Sequence, residues 1–106
     1  MSSEAAILQA DLRGKTAIVT GAAHGFGRAI CLALSGSGAR VWAVDIVADE
    51  VAHTAAQCHA AGGWCEARTL DITQREAVQA LVAEACSSGT HIDILVNNAG
   101  DRKSVV

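Results

Sequence analysis

The sequence has no tyrosine and no proline among its 106 residues, and its aromatic residues are one phenylalanine and two tryptophans. Without tyrosine, the chain itself supplies no phenol as a proton donor. No apolar run approaches the roughly 20 residues that a bilayer-spanning helix needs. The N-terminus, Met-Ser-Ser-Glu, has no basic segment of the kind that begins a secretory signal. These absences predict a cytoplasmic protein without a membrane partner.

Positive charge is also scarce. The formal net charge is −3, and the longest basic cluster is the pair Arg102-Lys103. Nucleic acid binding needs a face rich in lysine and arginine to neutralise phosphates, so we expect no nucleic acid partner. With 51% apolar and 18% charged residues, the composition is that of a globular protein. Its length allows one domain at most.

The four cysteines show no metal-binding pattern. They form no Cys-x-x-Cys pair, and no histidine lies at a metal-ligand spacing from them. Each falls in an apolar-periodic segment, so we expect small buried hydrophobic residues and no metal site. A disulfide or a zinc site is the alternative. The four are Cys31, Cys58, Cys65 and Cys86.

Apolar strand-like segments alternate with helix-like segments along the chain. This order predicts a parallel sheet with helices on both faces and right-handed crossovers, an α/β fold. The predicted strands are residues 16–20, 41–45, 64–70 and 92–96, and the first and the fourth are expected to be buried. The predicted helices begin near residues 28, 47 and 73 and end at Gly36, Gly62 and Gly89.

Two helices carry more detailed predictions. The sequence Thr-Gln-Arg-Glu at 73–76 matches a capping box, in which Thr73 and Glu76 bind backbone amides at the start of the third helix. Helical periodicity predicts which side chains the last two helices bury. In the second helix these are Val51, Ala52, Ala55 and Cys58, and in the third they are Val78, Leu81, Val82 and Ala85.

The segment at 20–27, Thr-Gly-Ala-Ala-His-Gly-Phe-Gly, joins the first strand to the first helix. Its three glycines let the backbone approach a negatively charged group, and the helix N-terminus supplies unpaired amides and a positive dipole. Three glycines alone would also fit a tight corner between a strand and a helix that binds nothing. Because a strand precedes this segment and a helix follows it, we predict a phosphate-binding turn.

Asp45 ends the second predicted strand, 18 positions past Gly27. That spacing is close to the about 20 residues expected for a carboxylate that binds an adenosine ribose. Such a carboxylate would repel a 2′-phosphate at about 4 Å by roughly 1 kcal/mol per unit charge in water and about 4 kcal/mol at a partly buried site. The next residues, Ile46 and Val47, offer no compensating charge, so NAD is favoured over NADP. Alternatively, Asp45 caps the following helix.

Two motifs together resemble those of the short-chain dehydrogenase/reductase family. They are Thr-Gly-x-x-x-Gly-x-Gly at 20–27 and Asn-Asn-Ala-Gly at 97–100, and the resemblance covers residues 12–100. It implies a Rossmann-type sheet, here truncated after the fourth strand, that binds NAD. The cofactor-binding residues implied are Gly21, Ala23, His24, Gly25, Phe26, Gly27, Asp45, Ile46, Asp71, Ile72, Asn98, Ala99 and Gly100.

The resemblance also assigns roles. Asp71 would meet the adenine amino group, although an acidic residue there would equally favour the dipole of the helix that follows. Asn98 and the two residues after it would lie along the ribose and pyrophosphate. Asn97 would tie strand ends together, and Thr20 would brace the turn.

The family's catalytic serine and Tyr-x-x-x-Lys pair lie downstream of Gly100, as do its remaining strands. Residues 101–106 do not resemble the family's continuation. We therefore expect a leader at 1–13, a NAD-binding half-domain at 14–100 and a tail at 101–106. By resemblance, the parent is a homo-oligomeric oxidoreductase acting on an alcohol or ketone, and this chain is its inactive cofactor-binding portion, with no catalytic residue. The alternatives are a non-catalytic adenine-nucleotide binding module and a truncated product without function.

Overall fold

The computed structural model describes residues 11–98 and contains four strands and three α-helices in that range. Strands and helices alternate along the chain, as the sequence predicts, and a single 3₁₀ turn precedes the last strand. The strands are β1 (Thr16–Thr20), β2 (Arg40–Asp45), β3 (Trp64–Thr69) and β4 (Ile94–Asn97). The helices are α1 (Gly25–Gly36), α2 (Ala48–Ala60) and α3 (Arg75–Ala85), and the 3₁₀ turn is Ser87–Gly89.

The four strands form one parallel sheet in the order β3-β2-β1-β4. The chain therefore steps from β1 outward to β3 and then crosses back to place β4 on the other side of β1. The register pairs Thr20 with Val44 in β2 and with Asn97 in β4, so the carboxyl ends of these strands meet at one edge. Such a reversal of strand order creates a crevice at the carboxyl edge, where ligands bind in open α/β sheets.

Helices cover both faces, which confirms the predicted architecture. Alternate residues of β1 and β2 point to opposite sides, as the pleat requires. On one side, α1 and α2 pack on a cluster that includes Val19, Leu34 and Val51. On the other side, α3 packs through Leu81 on a cluster that includes Ile18 and Trp42.

The predicted capping box at 73–76 is wrong. Helix α3 begins at Arg75, its N-cap residue is Gln74, and no side chain caps it. The Thr73 hydroxyl instead donates to Asp71 Oδ1 at 2.7 Å, and the Thr73 amide donates to the same oxygen at 2.9 Å. A nearer carboxylate at position i−2 thus occupies the hydroxyl that the capping box needs.

Three apolar side chains predicted to be buried are exposed. Ala52 lies on the solvent side of α2, whereas Thr54, which was not among the predicted buried residues, is fully buried on the opposite face. Val82 in α3 is 40% exposed, and Leu95 in β4 is 68% exposed. Strand β4 is thus not a buried strand, because it forms one edge of the described sheet and α3 leaves Leu95 uncovered.

Leu12, which lies in the predicted leader, contacts the rest of the fold. Its amide donates to the Ser37 carbonyl at 2.8 Å, and its side chain packs against the α1/α2 cluster. Within residues 11–98, no helix is both long and apolar enough to cross a membrane.

Candidate functional site

The glycine turn (residues 20–27) leaves β1 at the carboxyl edge of the sheet and enters α1. Gly21 has φ 66° and Gly25 has φ 59°. These are left-handed conformations, which glycine adopts without the steric cost that a Cβ atom brings. Two of the three motif glycines are therefore needed for the path of the backbone.

The third motif glycine, Gly27, is needed for close packing. A Cβ atom built on Gly27 would lie 1.9 Å from the carbonyl oxygen of Gly21 and 2.9 Å from the Asn98 side-chain nitrogen. Helix α1 therefore starts directly against the beginning of the turn. Because no side chain separates them, the amides at the start of α1 face the same space as the turn.

The N-terminus of α1 differs from those of α2 and α3 in its charge. The N-cap residue His24 has extended backbone, and no side chain caps the helix. The first turn of α1 contains no acidic residue, whereas α2 begins with Asp49 and Glu50 and α3 with Glu76. The first amides of a helix and its dipole attract anions. The α1 N-terminus can therefore hold a phosphate group.

Asp45 lies beside this turn at the end of β2 and is only 6% exposed. Its Oδ2 accepts a hydrogen bond from the Ala23 amide at 3.2 Å, and its Oδ1 accepts from the amides of Ile46 and Val47 at 2.7 and 3.2 Å. The N-cap residue of α2 is Val47, so Asp45 does not cap that helix in the usual position. It instead fixes a negative charge against the glycine turn.

The end of β4 is bound to the same turn. The Thr20 hydroxyl donates to Asn97 Oδ1 at 3.2 Å, and the Asn98 side-chain nitrogen donates to the Gly21 carbonyl at 3.2 Å. These contacts agree with the bracing roles expected for Thr20 and Asn97. Asn98, expected along the ribose, is also a brace. Ala99 and Gly100, the other predicted site residues of this motif, lie outside the described residues.

Two residues that were not predicted from the sequence, Thr54 and Arg28, hydrogen-bond to the backbone of the glycine turn. The Thr54 hydroxyl is completely buried and donates to the Ala22 carbonyl at 2.7 Å. It accepts a hydrogen bond from Arg28 Nε at 2.9 Å, and the same guanidinium binds the Ala23 carbonyl. Thr54 falls three residues after Val51 and four before Cys58, so helical periodicity places it on the buried face of α2. That spacing was the available signal.

His24 contacts the first turn of α2. Its Nδ1 lies 3.0 Å from Glu50 Oε1, and both side chains are more than half exposed. Arg28 also binds the Glu50 carbonyl at 3.2 Å. The predicted site residue His24 thus already has a carboxylate partner. No sequence signal in Glu50 indicated this contact, because the two residues are 26 positions apart.

Asp71 and Ile72 follow β3 at the same edge. Asp71 is exposed, and its pKa lies below the ordinary value because its carboxylate accepts hydrogen bonds from the Thr73 amide and hydroxyl. The carboxylate is therefore ionised at neutral pH. An ionised carboxylate accepts hydrogen bonds from an amino group, which is the role that the resemblance implies.

Large apolar side chains are exposed along the carboxyl edge. Phe26 is 74% exposed, Ile46 63% and Ile72 37%. They follow β1, β2 and β3 respectively, so each belongs to a different loop of one edge. Ala23, by contrast, is fully buried, and its amide and carbonyl are both engaged inside the turn.

The cysteines lie away from this edge. Cys31, Cys58 and Cys65 are buried, as expected, whereas Cys86 is half-buried, and all four are free thiols. Hydrogen bonding to the Cys31 thiol raises the pKa of Cys65 to about 12, and hydrogen bonding to Cys65 raises the pKa of Cys58 further. Within residues 11–98, no group of three or more His, Cys, Asp or Glu residues is placed to hold a metal ion.

Comparison with known proteins gives relatives for most of the chain. It is 42% identical over 89 residues to the 7alpha-hydroxysteroid dehydrogenase of Escherichia coli K12, a match that covers 84% of this chain and 35% of that protein. It is 40% identical over 88 residues to a short chain dehydrogenase/reductase of Gibberella zeae, over 83% of this chain and 32% of that protein. The chain thus spans about a third of the length of these relatives.

Solved structures agree with this result. The citronellol catabolism dehydrogenase of Pseudomonas aeruginosa matches with a TM-score of 0.77 and 36% identity, over 84% of this chain and 38% of that one. A hydroxysteroid dehydrogenase from Escherichia coli matches with the same TM-score and 38% identity, over 91% and 39%. The family model described as short chain dehydrogenase matches residues 15–106. The chain therefore belongs to the short chain dehydrogenase family of oxidoreductases.

Proposed function

We propose that this chain is the NAD-binding portion of an oxidoreductase that transfers a hydride between NAD and an alcohol or carbonyl substrate. The observation that supports it most directly is the composition of the carboxyl edge. The uncapped N-terminus of α1 without acidic residues, the buried carboxylate of Asp45 and exposed apolar side chains all lie at this edge, in the loops that follow β1, β2 and β3. An adenine dinucleotide presents the matching groups, namely phosphates, ribose hydroxyls and a flat apolar base.

Each group of the cofactor has a candidate partner. The pyrophosphate would meet the glycine turn and the α1 N-terminus, and the adenosine ribose would donate hydroxyl hydrogens to Asp45. The adenine ring would lie near Ile46 and Ile72, with Asp71 accepting from its amino group. The nicotinamide would supply the hydride-accepting ring, and the residues of this chain bind and orient the adenosine half.

The preference for NAD over NADP rests on Asp45. Its side chain is nearly buried and hydrogen-bonded to three amides, so the carboxylate cannot turn away from a nearby 2′-phosphate. The repulsion between unit charges at about 4 Å is roughly 1 kcal/mol in water and about 4 kcal/mol at a partly buried site. We therefore expect NADP to bind about 5- to 1,000-fold more weakly than NAD.

Catalysis is proposed to need residues that this chain does not contain. It has no tyrosine, and the part that matches covers only 35% of the length of the Escherichia coli relative. We propose that the intact parent acts in the cytoplasm as a homo-oligomer on a small alcohol or ketone, and that the 106-residue chain alone is inactive. Production of NADH by this chain with any alcohol would contradict that part of the proposal.

Calorimetric titration of the 106-residue chain with NAD and with NADP tests the binding. We expect saturable binding of NAD and much weaker binding of NADP. The Asp45→Asn variant keeps the shape of the side chain and removes its charge, so the ratio of the NADP and NAD dissociation constants should fall at least about fivefold. Absence of NAD binding would refute the binding proposal, and an unchanged ratio would refute the role of Asp45.

A further inference from the structure

We infer that Glu50 is a second residue that selects against a 2′-phosphate, acting through His24 in the glycine turn; this rests on the proposed function. His24 is the next residue after Ala23, whose amide binds Asp45. A phosphate on the 2′ position of a ribose at Asp45 would therefore lie near the His24 imidazole. On its own, an imidazole there would offer a hydrogen-bond donor to the phosphate.

Glu50 changes what the imidazole offers. A carboxylate only accepts hydrogen bonds, so the contact of 3.0 Å between Glu50 Oε1 and His24 Nδ1 places the hydrogen on Nδ1. In the neutral ring Nε2 is then an acceptor with a lone pair. A lone pair repels a phosphate oxygen, and the donor that would have attracted it is already occupied by Glu50.

Glu50 also adds negative charge next to the His24 imidazole. Its carboxylate is 52% exposed and sits at the start of α2, the helix that follows Asp45. The exposed carboxylate of Asp49 precedes Glu50 in α2, and the guanidinium of Arg28 donates to the Glu50 carbonyl at 3.2 Å. Arg28 donates from Nε to the Thr54 hydroxyl and from Nη2 to the Ala23 and Glu50 carbonyls, so these two nitrogens already have acceptors within the protein.

The test compares two adenine nucleotides that differ only at the 2′ position. The 106-residue chain is titrated with 5′-AMP and with 2′,5′-ADP. The dissociation constant of 2′,5′-ADP divided by that of 5′-AMP measures discrimination against the 2′-phosphate. In the Glu50→Gln variant this ratio should fall about three- to tenfold, whereas 5′-AMP affinity should stay within about twofold. The change should shrink in about 0.5 M salt, because the contact is exposed.

Asp49→Asn is the matched control, since it removes an equal charge from the adjacent position of α2 without touching His24. The ratio should change less than about twofold in this variant. In the double variant His24→Ala, Glu50→Gln, most of the fall in the ratio should disappear, because the imidazole donor that the loss of Glu50 frees is no longer present.

The outcomes separate the two proposals. If the wild-type chain binds neither nucleotide, the proposed function fails, and the role of Glu50 fails with it. If the wild type binds 5′-AMP but Glu50→Gln changes the ratio no more than Asp49→Asn does, the role of Glu50 is overturned and the proposed function stands. If the ratio falls as far in the double variant as in Glu50→Gln, Glu50 does not act through His24.

Discussion

The two faces of the sheet differ in how completely they are covered. On the α1/α2 face, twelve residues form a closed cluster, and the side chains that meet there include Val19, Leu34 and Val51. On the α3 face, a cavity of about 270 Å³ opens beside Leu95 and Val82, which are both exposed. The glycine turn and Asp45 are held by contacts from α1 and α2 on the closed face, whereas Ile72, the candidate neighbour of the adenine, lines the cavity on the α3 face.

The contrast between the faces is most directly tested by removing one leucine from each. Leu34→Ala on the closed face should lower the free energy of unfolding by about 2–5 kcal/mol, because Leu34 is 5% exposed and its loss leaves a cavity. Leu95→Ala on the open face should change it by less than about 0.5 kcal/mol. Urea denaturation followed by circular dichroism measures both. Equal losses would show that the open face is packed in solution.

Within the closed face, Gly27 tests the contact between the turn and α1. Gly27→Ala would place a methyl group 1.9 Å from the Gly21 carbonyl oxygen, so either the turn or the helix must move. We expect a loss of about 1–3 kcal/mol in the free energy of unfolding and a loss of at least about tenfold in 5′-AMP affinity.

Gly36→Ala in the same helix is the control for that substitution. A methyl group on Gly36 meets nothing within 4 Å. Because alanine favours helix more than glycine does, stability should rise by up to about 1 kcal/mol while 5′-AMP affinity is unchanged. Similar behaviour of the two variants would contradict the close packing at Gly27.

The hydrogen bonds from Thr54 to the glycine turn should have an effect of similar size on stability. Thr54→Val removes the hydroxyl that binds Ala22 and Arg28 and keeps the volume, so it should cost about 1–3 kcal/mol of unfolding free energy. The turn should also hold nucleotides more weakly. Thr54→Ser keeps the hydroxyl and should retain nucleotide affinity while losing about 1 kcal/mol from the missing methyl group. Equal nucleotide affinities in the two variants would exclude a bracing role.

The sequence alone predicted the closed face better than the open one. Apolar runs and glycine spacing predicted β1, β2 and the turn, since these features reflect local backbone requirements and uniform burial. Burial at Leu95 and Val82 could not be predicted, because an apolar residue looks the same whether or not a neighbouring element covers it. The contacts of His24 with Glu50 and of Arg28 with Thr54 join residues 26 positions apart, and no local pattern specifies such pairs.

The smallest effect concerns how β4 is attached to β1. Asp93 Oδ2 accepts a hydrogen bond from the Thr16 amide at 2.9 Å, and this bond, with smaller contributions from His91 and Lys15, holds the pKa of Asp93 below its ordinary value. A lowered carboxyl pKa stabilises the fold fully above the unfolded pKa of about 4, and the stabilisation disappears as the pH falls through the lower folded value.

The comparison of wild type with Asp93→Asn should therefore depend on pH. The excess stability of the wild type should be present from pH 7 to about pH 5 and should shrink below about pH 4 as the Asp93 carboxylate is protonated. Urea denaturation at several pH values measures this difference. Repeating it in about 0.5 M salt separates the contributions, because salt screens the attraction to exposed His91 and Lys15 more than it weakens the hydrogen bond from Thr16. A difference independent of pH would mean that the charge of Asp93 does not hold β4 against β1.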